Sequence, residues 1–245
     1  MAKGFQQTPG LDYFDTFSPV IKAATIRIML SLAVHHNWDI QQIDINNAFL
    51  NGELAENVFM VQPEGFSDLS QPKHVCKLHK ALYGLKQAPR AWFDKLRSAL
   101  LEWGFINSTS DVSLFFFKKG VQVVYLLVYV DDILLTGNDS QLISQIVADL
   151  NKKFALKTLG AVHYFLGFEV VRNASGLLLT QTKYAQELLH KAGMSESKPC
   201  NTPMATGVKL GREDSEAFDQ PSLYRSIIGG LQYLRRSTIS YSVQT

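Results

Sequence analysis

The run Val121-Gln122-Val123-Val124-Tyr125-Leu126-Leu127-Val128-Tyr129 leads through Val130 to Asp131-Asp132 and then to Ile133-Leu134-Leu135-Thr136-Gly137. β-Branched, aromatic and aliphatic residues in near-unbroken succession predict strands buried on both faces. A second apolar strand resumes directly after the two aspartates, so the pair is expected at a tight hairpin turn, the one point where carboxylates can leave the core. Taken alone it reads as a plain turn, because Asp bonds nearby backbone N–H groups and tolerates unusual dihedrals. Two features argue for more. The turn holds no Gly or Asn, and two adjacent like charges repel although no turn needs both. A divalent cation would remove that repulsion; Mg2+ takes oxygen ligands and is usually held by one or two carboxylates together with substrate phosphates. The pair therefore asks for a third carboxylate elsewhere.

Asp44 is the candidate. In Ile40-Gln41-Gln42-Ile43-Asp44-Ile45 it is bracketed by Ile43 and Ile45, as in a short strand with apolar neighbours. A charge in that setting is usually paired or metal-bound. The alternative is an exposed strand Asp.

Charge distribution is more informative than the net charge of +2. Residues 39–68 hold six acidic residues and no Lys or Arg, whereas residues 73–97 hold seven basic residues against Asp94 alone. An acidic block beside a basic one suits a metal site next to a phosphate track; two ordinary solvated faces would look the same. Two cysteines, Cys76 and Cys200, make no disulfide framework and suggest a reducing compartment. The cluster His74, Cys76, His79 is too tight and too small for a zinc site. The first residues lack the shape of a signal peptide, and no apolar run reaches the roughly 18 residues that a membrane helix needs. A chain that is 46% hydrophobic has the means to bury a sizeable core.

Along the chain, residues 1–19 read as loop and residues 25–38 as a helix with Ile26, Met29, Leu30, Ala33 and Val34 on its apolar face. Strands are expected at 58–61 and 75–78. Gly84 lies in a loop that leads through Lys86 and Gln87 into a helix with Pro89 in its first turn. Trp92, Phe93, Leu96, Ala99, Leu100 and Trp103 form that helix's apolar face, and Gly104 ends it. Lys86 and Arg90 lie at its positive end, where phosphates are favoured, though basic residues in a surface loop read alike. Strands are expected at 111–117 and 121–136, a helix capped near Asp139, a single strand over 163–171 paired with 177–180, and a helix over 181–192. Residues 195–221 read as a linker and 223–234 as a final helix. The order predicts an α+β fold, an antiparallel sheet with helices on one face in a split βαβ arrangement, in which the Asp44 strand and the hairpin lie side by side.

Five stretches in order make the chain recognisable. They are Ala2-Lys3-Gly4-Phe5 with Asp12-Tyr13 and Thr16-Phe17-Ser18-Pro19-Val20; Gln42-Ile43-Asp44-Ile45-Asn46-Asn47-Ala48-Phe49-Leu50-Asn51-Gly52; Leu82-Tyr83-Gly84-Leu85-Lys86-Gln87-Ala88-Pro89-Arg90-Ala91-Trp92; Tyr129-Val130-Asp131-Asp132; and Tyr164-Phe165-Leu166-Gly167. The chain resembles the reverse transcriptase of Ty1/copia-type LTR retrotransposons over most of residues 1–203. The resemblance implies a right-hand polymerase with fingers and an antiparallel palm sheet. It further implies an RNA template, a DNA or RNA primer and dNTPs as partners, and no membrane. Asp44, Asp131 and Asp132 are then the metal-binding and catalytic aspartates, with Ile45 offering a backbone carbonyl. Two Mg2+ ions, or Mn2+ in their place, about 3.5–4 Å apart, would serve in-line attack of the primer 3′-hydroxyl on the dNTP α-phosphate. By the same resemblance Phe49 is the aromatic gate that excludes a ribose 2′-hydroxyl. Gly84, Lys86 and Gln87 touch the incoming nucleotide, while Arg90, Tyr129, Tyr164, Leu166 and Gly167 touch template or primer.

The sequence departs from the family pattern at both ends. The basic Lys-Ala-Arg-Leu-Val stretch usual before Ala2 is missing, and after Tyr233-Leu234 the segment Arg235-Arg236-Ser237-Thr238 has lost the usual Pro and Asp. With no ribonuclease H, integrase, protease or capsid portion, the chain reads as a fragment of a longer polyprotein. Residues 1–203 would be reverse transcriptase (partial fingers, palm, primer-grip hairpin, start of thumb), and residues 204–245 a linker toward ribonuclease H. The implied location is intracellular, either cytoplasmic within a virus-like particle or nuclear. Two readings stand: an RNA-directed DNA polymerase with its carboxylate triad intact, and a catalytically silent remnant that at most binds nucleic acid through residues 73–97. A two-metal nuclease is disfavoured by Phe49 and the five ordered stretches.

Overall fold

The computed structural model describes residues 2–173, 176–202, 204, 207, 211, 218–234 and 239–242. The chain divides into two compact units, Met1–Val162 and His163–Thr245.

The first unit contains α1 (Ala23–His35), β1 (Ile40–Ile45), β2 (Glu53–Val61), β3 (Val75–Lys80), α2 (Ala88–Glu102), β4 (Ile106–Asn107), β5 (Leu114–Lys119), β6 (Gln122–Tyr129), β7 (Asp132–Gly137), α3 (Ser140–Phe154) and β8 (Leu156–Ala161). Six strands form one sheet in the order β4-β5-β6-β7-β1-β8, and β2-β3 form a separate ribbon. Every pairing in the large sheet is antiparallel. β1 enters between β7 and β8, so the chain runs β1, α2, hairpin, α3, β8, the expected split βαβ.

Local chemistry explains the elements that carry the site. Pro89 sits in the first turn of α2, where its missing N–H costs nothing. Trp92, Phe93, Leu96, Ala99 and Leu100 recur at helical spacing and are buried, and Gly104 leaves the helix at φ +84°. Asp139 caps α3 by accepting from the Leu142 N–H at 2.9 Å. α2 and α3 lie on one face of the sheet over Ile43, Ile45, Phe115, Val124, Leu126, Val128, Ile133 and Leu135.

The expectation of helices on one face needs correction. Leu127 and Leu134, which alternate away from that core, are 0% and 1% exposed. α1 packs against β7, and Trp38 just after it stacks on Tyr125 with ring centroids 6.3 Å apart. Strands apolar on both faces need cover on both, and α1 supplies it. Further differences concern strands. β4 and β8 are additional to the expected strands, β2 begins at Glu53 rather than at Val58, and β5 begins at Leu114 rather than at Asp111.

Asp111 instead closes the start of α1. Its carboxylate accepts from the Lys22 N–H at 3.0 Å, from the Thr25 hydroxyl at 2.5 Å and from the Ser113 N–H at 3.0 Å. Burial pushes this carboxyl up, but those hydrogen bonds outweigh it and hold it below the ordinary value of 3.8. Asp111→Ala strips buried donors of their acceptor and is expected to cost about 2–4 kcal/mol in urea denaturation at neutral pH. Because the folded pKa is depressed, the charge-dependent part of this stabilisation is present above pH 3.8 and lost as pH falls through the folded value. The gap between wild type and Asp111→Asn is therefore expected to close only in strong acid.

The second unit contains β9 (Tyr164–Phe165), β10 (Phe168–Asn173), β11 (Gly176–Thr180), α4 (Thr182–Lys191), α5 (Pro221–Leu234) and β12 (Ile239–Ser242), with strand order β12-β11-β10-β9. The single strand expected over 163–171 is broken. Phe165 pairs with Phe168, and Leu166 and Gly167 turn between them at φ +49° and +75°. The Ala174-Ser175 part of the following hairpin turn, much of the expected linker and the Arg235-Arg236-Ser237-Thr238 departure lie outside the described residues. Among the described residues no helix is long and apolar enough to cross a membrane.

Candidate active site

The β6–β7 hairpin closes through a two-residue turn, with Tyr129 opposite Asp132 and Val130 and Asp131 between them. Only the first turn residue, Val130, has positive φ, at +57°. That is the pattern of a type II′ turn, whose first position favours Gly. A β-branched residue there is strained, so its surroundings must hold it. The Trp92 indole N–H does so from α2, donating to the Val130 carbonyl at 2.6 Å. Trp92 is itself 1% exposed and meets Phe154 edge-on at 5.2 Å.

On the neighbouring strand Asp44 lies directly opposite Asp132 in the register of β1 and β7. The Asp131 carbonyl accepts the Ile45 N–H at 2.9 Å, tying the turn to β1. Three aspartates and the Ile45 backbone are thus fixed relative to one another by main-chain hydrogen bonds. Like charges opposed across strands are unfavourable, and the site shows it. Burial, then the Asp131 charge, raises the Asp44 carboxyl, and Lys157, its partner on β8, opposes this. Burial raises Asp132 as well; a hydrogen bond from Gln42 Nε2 at 3.2 Å opposes, and the charges of Asp131 and Asp44 add to the rise. Among the described residues no three His, Cys, Asp or Glu side chains converge closely enough to hold one ion as they stand. The backbone fixes the aspartates as neighbours. Hard oxygen donors, held together against their own repulsion, fit a divalent cation of the Mg2+ kind.

Phe49 sits in a short 3-10 turn, Ala48–Asn51, that follows β1. Its half-buried ring lies 4.7 Å from the Tyr83 ring. Burial and then Asp131 push the Tyr83 phenol up, so this tyrosine belongs to the electrostatic surroundings of the aspartates.

The expected nucleotide loop is tied to the N-terminal segment. Gln87 is 2% exposed; its amide donates to the Asp12 carbonyl at 2.8 Å and accepts from Gln7 at 3.0 Å. Gly84 is exposed with φ +99°, and a Cβ on Gly4 would fall 1.9 Å from its carbonyl oxygen. The Lys86 ammonium lies 5.4 Å from the centre of the Tyr13 ring. Arg90 pairs with Asp15 at 2.7 Å and with Asp94 at 3.5 Å. Tyr129 flanks the aspartate turn. Tyr164, Leu166 and Gly167 fall in the second unit, at the β9–β10 turn.

Gln42, Tyr83, Trp92 as a turn anchor, and Lys157 were not singled out in the sequence for these roles. Gln42 was reachable, since it precedes Asp44 by two and shares its face; the others become neighbours only through the fold.

The family described as Reverse transcriptase (RNA-dependent DNA polymerase) matches residues 1–206. The chain belongs to the reverse transcriptase family. It is 52% identical over 245 residues to the Retrovirus-related Pol polyprotein from transposon RE1 of Arabidopsis thaliana, covering 99% of this chain and 17% of that protein. It is 38% identical over 242 residues to the Retrovirus-related Pol polyprotein from transposon TNT 1-94 of Nicotiana tabacum, covering 95% and 18%. A third relative, the Transposon Ty1-H Gag-Pol polyprotein of Saccharomyces cerevisiae, is 29% identical over 232 residues, covering 91% and 12%. The reverse transcriptase chain thus spans under a fifth of the length of these relatives.

Proposed function

We propose that the chain is an RNA-directed DNA polymerase domain that extends a primer from dNTPs on an RNA template. The observation that carries this reading is the β1–β7 register, which sets Asp44 opposite Asp132 with Asp131 in the adjoining turn. In this reading the large sheet is the palm and the β2–β3 ribbon belongs to the fingers. Residues 1–203 make up the polymerase part, and residues 204–245 lead toward a ribonuclease H portion.

Asp44, Asp131 and Asp132, with the Ile45 carbonyl, would hold two Mg2+ ions or Mn2+ in their place. When bound, these supply charge neutralisation at the triphosphate and an acidified primer hydroxyl. The chain's own contribution is preorganisation. Strand pairing fixes the backbones of the aspartates before substrate arrives, and Trp92 holds the strained turn, so the closing of side chains around the ions is what remains. Phe49, braced by Tyr83, bars a 2′-hydroxyl. Phe49→Val is expected to weaken discrimination against rNTPs by about 10–100-fold with dNTP incorporation largely kept, read from the ratio of kcat/KM values.

Incorporation of dTMP into an oligo(dT) primer on poly(rA) tests the function. Template-dependent incorporation that stops on chelation is expected. Salt-sensitive binding of the duplex without incorporation would instead mark a silent remnant.

A further inference from the structure

Helix α5 lies beyond the residues that match the family, and its sequence position suggests a mere connector. Its contacts say otherwise. The Tyr233 hydroxyl donates to the Leu166 carbonyl in the β9–β10 turn. The Tyr233 ring lies 6.5 Å from Phe168, just after that turn, and 5.2 Å from Tyr184 on α4. A Cβ on Gly167 would fall 3.1 Å from the Tyr233 ring. Gly167 is favoured by its φ of +75° and keeps the ring contact uncrowded.

The helix is seated to deliver this tyrosine. A Cβ on Gly230 would fall 2.7 Å from Leu188 Cδ1, so glycine lets α5 approach α4 closely. Tyr184 donates to the Gly230 carbonyl at 3.4 Å, and the Lys191 ammonium to the Ser226 hydroxyl at 2.5 Å. α4 in turn is fastened to the hairpin sheet, since Glu169 on β10 accepts from the Lys183 N–H at 3.2 Å and from the Thr180 hydroxyl at 3.1 Å.

The turn needs such a brace. Leu166 and Gly167 both have positive φ, the type I′ pattern. Leucine has no intrinsic preference for the first position, unlike Asn or Gly. A hydrogen bond to the Leu166 carbonyl offsets that cost.

We propose that α5 sets the β9–β10 turn, with Tyr233 as the positioning residue that orients Leu166 and Gly167 for the primer strand. The primer clause rests on the polymerase reading; the positioning itself does not.

Hydrogen–deuterium exchange on the full 245-residue chain tests the positioning. Tyr233→Phe removes the hydrogen bond and keeps the ring, whereas Tyr233→Ala removes both. Exchange at residues 165–170 is expected to quicken by about tenfold in Tyr233→Ala and by less in Tyr233→Phe, with α4 changed far less. Unchanged protection at residues 165–170 in folded Tyr233→Phe and Tyr233→Ala would overturn the inference, as would equal loosening of α4 and the hairpin. Where Tyr233→Ala does not fold, Tyr233→Phe alone decides.

Primer extension with the same variants separates the two claims. A raised KM for primer–template at unchanged KM for dNTP is expected. A loosened hairpin with unchanged primer–template KM would overturn the primer clause and leave the positioning standing. Absence of extension by the wild type would overturn the polymerase reading instead.

Discussion

Asp132→Asn is expected to abolish primer extension, by about 1,000-fold or more, while leaving the metal-free protein at least as stable as wild type. The two effects share one cause. Burial raises the Asp132 carboxyl, and Asp131 and Asp44 raise it further. A carboxyl whose folded pKa lies above its unfolded value costs stability as pH rises through the interval between them, and the cost persists above it. Asparagine carries no charge and keeps an oxygen that accepts from Gln42 Nε2, a contact of 3.2 Å in the wild type. It therefore removes the repulsion and keeps the packing. In chelator at neutral pH its urea midpoint should match or exceed that of the wild type. A lower midpoint would show that Asp132 is structural. The same reasoning predicts that acid stabilises the aspartate cluster relative to neutral pH, the opposite of the behaviour expected at Asp111, whose carboxyl is held low.

Trp92→Ala is expected to be the most damaging single substitution for the fold, at about 3–5 kcal/mol, the range for emptying a large aromatic site in a packed core. Trp92 is 1% exposed and lies where α2, α3 and the sheet meet. Trp92→Phe is the more informative change. It fills much of the space but leaves the Val130 carbonyl without its indole donor, at a cost of about 1–3 kcal/mol. It also frees a turn that Val130 enters only at φ +57°. Primer extension by Trp92→Phe should therefore fall further than its urea midpoint accounts for. Parallel losses in both would reduce Trp92 to a core residue.

Much of this was legible in the residues, and what was not has physical reasons. The hairpin was legible because twelve apolar residues between Val121 and Leu135 leave two adjacent aspartates only one way out of a core. Asp44 was legible because isoleucines flank it in a strand. β8 was not, because five of its six residues are exposed and no alternation marks it. The turn at Leu166-Gly167 was hidden by leucine in a place where Asn or Gly would have announced it. Cover by α1 on the second sheet face followed from the continuous apolar strands, yet the order of elements alone suggested one face. The N-terminal partners of Gln87 and Arg90 lie 73 or more positions away in the chain. No spacing rule reaches that far; only the fold shows that these side chains hold the N-terminal segment.

The most direct measurement is single-nucleotide addition on an RNA template by the purified wild-type chain beside Asp131→Asn, in Mg2+ and in Mn2+. Template-directed addition of dNTP by the wild type, absent in Asp131→Asn and in chelator, is the predicted result. A folded wild-type chain that binds primer–template and adds no nucleotide in either metal, or equal addition by Asp131→Asn, would contradict it.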